Sequence, residues 1–160
     1  MKRLAMLFLL TILRGGVGPA DSEHTVCDVL GEIERLNGAI VVVKGSLVSD
    51  VDTWLIGDGC RKPVRVGKCS FDNLISVAWP DSRYVKRELK GRDLFPVDRA
   101  GREKLSLALS SEFSAARIEV AIEGLIVTRD PMSLLVHPKS PETPAGFGHL
   151  GAAPAMIVVK

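Results

Sequence analysis

Three histidines, three cysteines and scattered serines and aspartates are the residues with which this chain could do chemistry. His24, His137 and His149 lie far apart, and neither HxxxH nor CxxC spacing occurs, so a zinc site is a weak reading. His149 stands in Gly146-Phe147-Gly148-His149-Leu150-Gly151, where glycines permit unusual backbone angles. It is expected to be structural, bonding neighbouring backbone and holding the turn before the last strand. His137 precedes Pro138 and reads as a loop residue. His24 would head a copper-binding terminus only after a cut behind Asp21, and is set aside. No G-x-S-x-G is present to expose a nucleophilic serine. Gly57-Asp58-Gly59 and Gly146-x-Gly148 lack the Lys-Ser/Thr that completes a phosphate loop. Asp50, Asp52 and Asp58 lack the alternation and terminal Glu of a calcium loop, and read as turn residues. No acid, base and nucleophile converge in the sequence, so a non-enzymatic module, with no catalytic residue, metal or cofactor, is the expectation. Its rival is a small secreted hydrolase or metal-dependent enzyme using His149 with a nearby carboxylate.

Binding chemistry is better represented. Trp54 and Trp79 are the large aromatics, and Arg83, Lys86, Arg87, Lys90 and Arg92 give the stretch 81–101 a basic bias. A ligand is expected on the face around Trp54 and Trp79, or along 83–92. The aromatic fraction of 5% argues against an extended base-stacking platform, and Tyr84 is the single aromatic interleaved with those cations. Single-stranded nucleic-acid binding therefore rests on fold analogy alone, and no nucleic acid is expected as a partner. A solvated loop or short irregular helix is the plain reading of 81–101.

The chain opens with Met1-Lys2-Arg3, an apolar run from Leu4 to Leu13, then Gly15, Gly16, Gly18, Pro19 and Ala20. Positive, apolar and small in that order is the pattern of a secretory signal peptide. The run is too short to span a bilayer, which needs roughly 20 residues. Residues 1–20 are expected to be removed near Ala20, leaving 21–160 as one domain with no transmembrane anchor. Loss of Lys2, Arg3 and Arg14 takes the 21 basic residues to 18 against 19 acidic ones, so the formal charge moves from +2 to −1. A nearly neutral total gives no general attraction to polyanions. Secretion or a periplasmic location follows as an expectation, with an unknown protein or small ligand of the envelope as partner.

An exported chain can hold disulfides. With Cys27, Cys60 and Cys69, at most one intramolecular bridge forms. Cys27–Cys60 is preferred, since it ties the first helix to the end of the second strand. Cys60–Cys69 would close only a local loop.

These residues must be positioned by a β-rich domain. Thr25 can cap a helix over Val26–Leu36, which Asn37-Gly38 stops. The β-branched run Ala39–Ser49 reads as a strand interrupted by Gly45, followed by strands at Thr53–Ile56 and Leu74–Trp79. A helix is predicted over Arg102–Ala116, then a strand from Ile118 through Gly124 to Thr128, a short strand at Ser133–Val136 and a closing strand Ala155–Val159. Val41-x-Val43-x-Gly45 is echoed by Val120-x-Ile122-x-Gly124, 79 positions later. An interior glycine marks a bend, and two long bent strands can each serve both halves of a closed barrel. The resulting β-β-β-α-β-β order is that of an OB-like five-stranded barrel, with an N-terminal helix and a helix between strands 3 and 4.

Val26-Cys27-Asp28-Val29-Leu30, Asn37-Gly38, the strand Ile118–Gly124, and Gly146-Phe147-Gly148-His149-Leu150-Gly151 with Pro154 carry a further signal. With the Val41-x-Val43-x-Gly45 strand, this combination resembles a group of small exported, generally uncharacterised bacterial proteins with an OB-like barrel. The resemblance covers nearly all of the chain after the leader, and Gly-Phe-Gly-His is its most specific part. It implies a bacterial origin and the Cys27–Cys60 pairing, leaves Cys69 as an extra thiol, and brings no activity with it.

Overall fold

A computed structural model of the chain describes residues 23–49, 52–90, 94–111 and 117–160. The leader expected at 1–20 lies outside the described residues. Strand β1 (Glu23–Thr25) leads into α1 (Val26–Gly31) and α2 (Ile33–Leu36), followed by β2 (Ile40–Ser49) and β3 (Thr53–Ile56). A small hairpin of β4 (Arg65–Val66) and β5 (Cys69–Ser70) precedes β6 (Leu74–Ala78). Helices α3 (Arg83–Glu88) and α4 (Arg99–Ser111) then lead to β7 (Ile118–Thr128). A 3-10 turn at Met132–Leu135, the pair β8 (Val136–His137) and β9 (Ser140–Pro144), and a second 3-10 turn at His149–Gly151 precede β10 (Ala155–Val159).

β2, β3, β6, β10 and β7 form a closed five-stranded mixed barrel, because β2 also pairs with β7. β10 runs parallel to β6 and antiparallel to β7. This is the OB-like arrangement expected from the order of elements.

The two glycines sit where the long strands change partners. β2 pairs with β7 over Ile40–Leu47 and with β3 from Ser46 onwards, directly after Gly45. β7 pairs with β2 up to Leu125 and with β10 from Gly124 onwards. Both lie in the inward series of alternating residues, Val41-Val43-Gly45-Leu47 and Ile122-Gly124-Ile126. A Cβ at Gly45 would stand 2.9 Å from a Val26 methyl and 3.0 Å from the Ile56 carbonyl. At Gly124 it would stand 2.5 Å from the Val158 carbonyl oxygen. The missing side chains are what let α1 and β10 lie so close.

The barrel interior, with Val43, Leu47, Leu55, Ile75, Ile126 and Ile157, is continuous with Val29, Ile33 and Leu36 of the N-terminal helices. A second cluster outside the wall joins Met156 and Val158 to Val85, Leu89, Leu135 and Phe147. Residues Ala155 to Val158 are all buried, alternating between the two clusters, which explains an uninterrupted apolar run in β10. Cys27 and Cys60 are joined by a disulfide, whereas Cys69 is a buried free thiol.

Several local expectations are revised. The first helix is broken at Glu32 rather than continuous to Leu36. Ser133–Val136 is mainly 3-10 turn, not strand, because Leu134 N–H bonds the Pro131 carbonyl and Leu135 packs inward. Of the two readings of 81–101, loop or short helix, residues 83–88 take the helix, α3, since Ser82 caps it (Val85 N–H to Ser82 Oγ, 3.1 Å) and Val85 and Leu89 face the second cluster. α4 begins at Arg99, before the expected Arg102, and the expected end at 112–116 lies outside the described residues.

Thr25 caps α1 in a reciprocal box: Asp28 N–H donates to Thr25 Oγ1 at 3.2 Å, and Thr25 N–H donates to Asp28 Oδ2 at 2.8 Å. The Thr25 hydroxyl and backbone bonds hold the Asp28 carboxyl below its ordinary range. A depressed folded-state value means that this stabilisation is present above the ordinary carboxylate range and is lost as pH falls through the lowered value. Thr25→Ala is expected to cost about 1 kcal/mol at neutral pH. The gap to wild type in urea unfolding should narrow at pH 3.

Candidate ligand-binding site

The site is built from three separate segments around β3 and β6. The end of β2 and the β2–β3 turn supply Ser49 and Asp52, and β3 supplies Thr53. Ser76, Val77, Ala78 and Trp79 come from β6 and its end, Ser82 and Tyr84 from the start of α3. The loop before β10 contributes Gly148 and His149. Together they enclose an open cavity of about 480 Å³, within the size range of small-molecule sites. Its walls carry two aromatic rings, four aliphatic hydroxyls besides the Tyr84 phenol, one carboxylate and one imidazole, and among the described residues no Lys or Arg side chain.

The loop wall is held by glycine chemistry. Phe147 and Ala153 exchange backbone bonds, Phe147 N–H to the Ala153 carbonyl at 2.8 Å and Ala153 N–H back at 3.1 Å. Gly146 N–H bonds the Gly151 carbonyl at 3.1 Å, and a Cβ at Gly146 would fall 2.1 Å from the Ala153 oxygen. Gly148 has φ +70° and ψ −164°, a region open in practice only to glycine. A Cβ there would meet the Trp54 ring at 2.2 Å. Trp54 therefore lies behind the loop as its support; it is not among the residues that line the cavity. Trp79 does line it.

His149 is exposed at the cavity edge, and its side chain hydrogen-bonds no other described residue. Its backbone carbonyl accepts from Ala152 N–H at 3.3 Å. The turn is thus held by the main chain, with the imidazole left facing the cavity. Asp52, which turn chemistry alone explained in the sequence, lines the same cavity. Among the described residues no three of His, Cys, Asp or Glu come together in a metal-binding group.

Helix α3 forms the opposite wall. Burial pushes the Tyr84 phenol up, and the Glu88 carboxylate adds to this against a hydrogen bond from the Gly148 backbone. Tyr84 therefore stays a neutral hydroxyl across the physiological range. Arg87 lies over the Tyr84 ring at 5.4 Å, and Arg102 over Trp79 at 5.3 Å. Arg83 is exposed on the same helix, whereas Lys86 lines a separate hollow with Pro80, Leu89 and Phe95.

The two walls are clamped from below. Arg129, at the end of β7, bonds the mostly buried carboxylate of Glu88 on α3 and stacks on Phe147 of the loop at 4.6 Å. Arg129→Met leaves that carboxylate without its partner, and about 2 kcal/mol of stability should be lost. Adding Glu88→Leu removes the stranded charge, and chemical denaturation should show part of the loss recovered.

No family model matches the chain, and neither a curated protein nor a solved structure does.

Proposed function

We propose that the protein is an exported, non-enzymatic binding module of the bacterial envelope whose ligand occupies the cavity between β3, β6, α3 and the Gly146–Gly151 loop. The observation that carries this reading is the convergence of Trp79, Tyr84, Asp52 and His149 on one open cavity. Apolar ring faces with a few convergent polar groups are the usual composition of a ligand site. The position agrees with the OB architecture, in which the face of the second and third strands and the loops beside it take ligands. The leader-like N-terminus and the Cys27–Cys60 bridge support export.

The test is a binding screen of oligosaccharides, mononucleotides and short peptides, read by tryptophan fluorescence and calorimetry. One class should bind. Trp79→Ala should weaken it by about 5- to 100-fold, the range for losing one stacked ring, while the circular dichroism spectrum is unchanged. Binding that is indifferent to Trp79→Ala, or no binding in any class, would overturn the reading.

A second reading, a small hydrolase, is favoured by one observation: Asp52 and His149 share the cavity. Turnover of a bound ligand that disappears in His149→Ala while binding persists would establish it. Retained binding with no turnover in wild type would exclude it for that ligand.

A further inference from the structure

The charge around the cavity is divided in a way that specifies a ligand class. Among the described residues no Lys or Arg lines the cavity itself, and its walls hold the Asp52 carboxylate and the His149 imidazole. On α3, which walls the cavity through Tyr84, Arg83, Lys86 and Arg87 stand at positions i, i+3 and i+4, a spacing that shares one helical face, and Lys90 follows in the turn just beyond the helix. All four are exposed. Among the described residues none of them forms a salt bridge. The acids nearest to them in the chain are already neutralised from elsewhere: Asp81 by Arg102 at 2.8 Å and Glu88 by Arg129. The stripe touches the cavity through Arg87, whose guanidinium covers the Tyr84 ring. Among the described residues, therefore, a cationic edge without ion-pair partners borders the cavity; Arg61, Lys62 and Arg65, also exposed and outside any salt bridge, lie in the segment before and within the small hairpin and do not line it.

We infer that the ligand is an acidic polysaccharide, one sugar ring of which sits in the cavity while the anionic groups of neighbouring residues lie along Arg83, Lys86, Arg87 and Lys90. The inference rests on the cavity being the binding site. A pyranose ring has an apolar face suited to Trp79 and Tyr84, and hydroxyls suited to Asp52, Ser49, Thr53, Ser76, Ser82 and His149. A carboxylate or phosphate inside the cavity would face Asp52 with no cation to compensate it, so the ligand's charge belongs outside, on α3. A nucleic acid strand fits less well. It needs successive rings for successive bases, and among the described residues the cavity offers Trp79 and Tyr84 with no further ring along α3 beside the cations.

The probes are oligomers of polygalacturonate, alginate and hyaluronan, methyl-esterified galacturonate oligomers with the same backbone but no charge, and single-stranded oligothymidylate. Calorimetry on the mature protein should show at least one acidic glycan binding. Its affinity should fall by about tenfold or more between 20 mM and 300 mM salt as the exposed charges are screened. The triple variant Arg83→Gln/Lys86→Gln/Arg87→Gln should lose about tenfold for the acidic glycan. In the galacturonate series it should bring the acid to the level of its ester. Trp79→Ala should weaken binding of charged and uncharged glycans alike, by about 5- to 100-fold. Equal binding of acid and ester, unmoved by the triple variant, would overturn the inference and leave the cavity reading standing. Tighter binding of oligothymidylate than of any glycan would replace it with a nucleic-acid partner. No glycan binding at all, or glycan binding indifferent to Trp79→Ala, would remove the cavity reading itself.

Discussion

Replacing both Cys27 and Cys60 by alanine is expected to destabilise the domain by about 3–4 kcal/mol, the largest effect expected in this domain. The bridge closes a loop with a sequence separation of 33, and its main action is to restrict the unfolded chain. It also fixes the start of α1 to the segment after β3, where a Cβ at Gly57 would stand 2.8 Å from Cys60 Sγ and 2.9 Å from a Val26 methyl. For a domain of this size the loss corresponds to a fall in Tm of roughly 10–15 °C. Wild type treated with dithiothreitol should fall by a similar amount, and the double variant should be insensitive to the reductant. Cys69→Ala should retain the wild-type response to reductant, because Cys69 takes no part in the bridge. A wild-type Tm unaffected by reductant would contradict the pairing.

The second large effect is expected at Gly124. Gly124→Ala places a methyl carbon 2.5 Å from the Val158 carbonyl oxygen and 2.7 Å from Ile157 Cγ1. The first neighbour is main chain in the paired strand β10, so relief requires the strands to part just where β7 passes from β2 to β10. Overpacking of this kind costs about 1–3 kcal/mol when side chains can give way, and the upper end of that range is expected here. Ala121→Val on the exposed series of the same strand is the control and should stay within about 0.5 kcal/mol of wild type. Urea unfolding of the two variants checks the pair. Equal stabilities would mean that β7 does not turn the barrel corner at Gly124.

Gly124 and its counterpart Gly45 also make the barrel legible in the sequence. An interior glycine in each of two long β-branched runs encodes the change of partner, because those are the positions where the barrel leaves no room for a Cβ. Thr53–Ile56 and Ala155–Val159 are legible to the residue, since β-branched and large apolar side chains stand between polar or proline punctuation. β1 is not legible: Glu-His-Thr carries no apolar pattern, and only parallel pairing with Val42–Lys44 makes it a strand. The β4–β5 hairpin escapes for a related reason, having two residues per strand. Helix α3 is masked by its own exposed face. Arg83, Lys86 and Arg87 on that face leave loop and short helix equally open until Val85 and Leu89 are seen to be buried.

The candidate site is half legible. Trp79, His149 and the basic stretch stand out by residue type, and the structure brings Trp79 and His149 to one cavity. Asp52, Ser76 and Ser82 give no signal, because their meaning arises only when the ends of β2, β6 and the β10 loop meet. Trp54 belongs to the expected region but plays another part, its ring filling the space that Gly148 leaves free. Gly146, Gly148 and Gly151 frame the loop that holds His149 at the cavity edge.

The most direct measurement of the cavity as the ligand site is a two-dimensional nitrogen–proton NMR titration of the protein with the acidic oligosaccharide that binds best. Perturbed amides should cluster at Ser49 and Asp52–Thr53, Ser76–Trp79, Ser82–Lys90 and Gly148–His149, and Trp79→Ala should need about 5- to 100-fold more ligand for the same shifts. Perturbations centred instead on Arg61, Lys62, Arg65 and Lys68 beside the small hairpin, with the cavity amides unmoved, would contradict it.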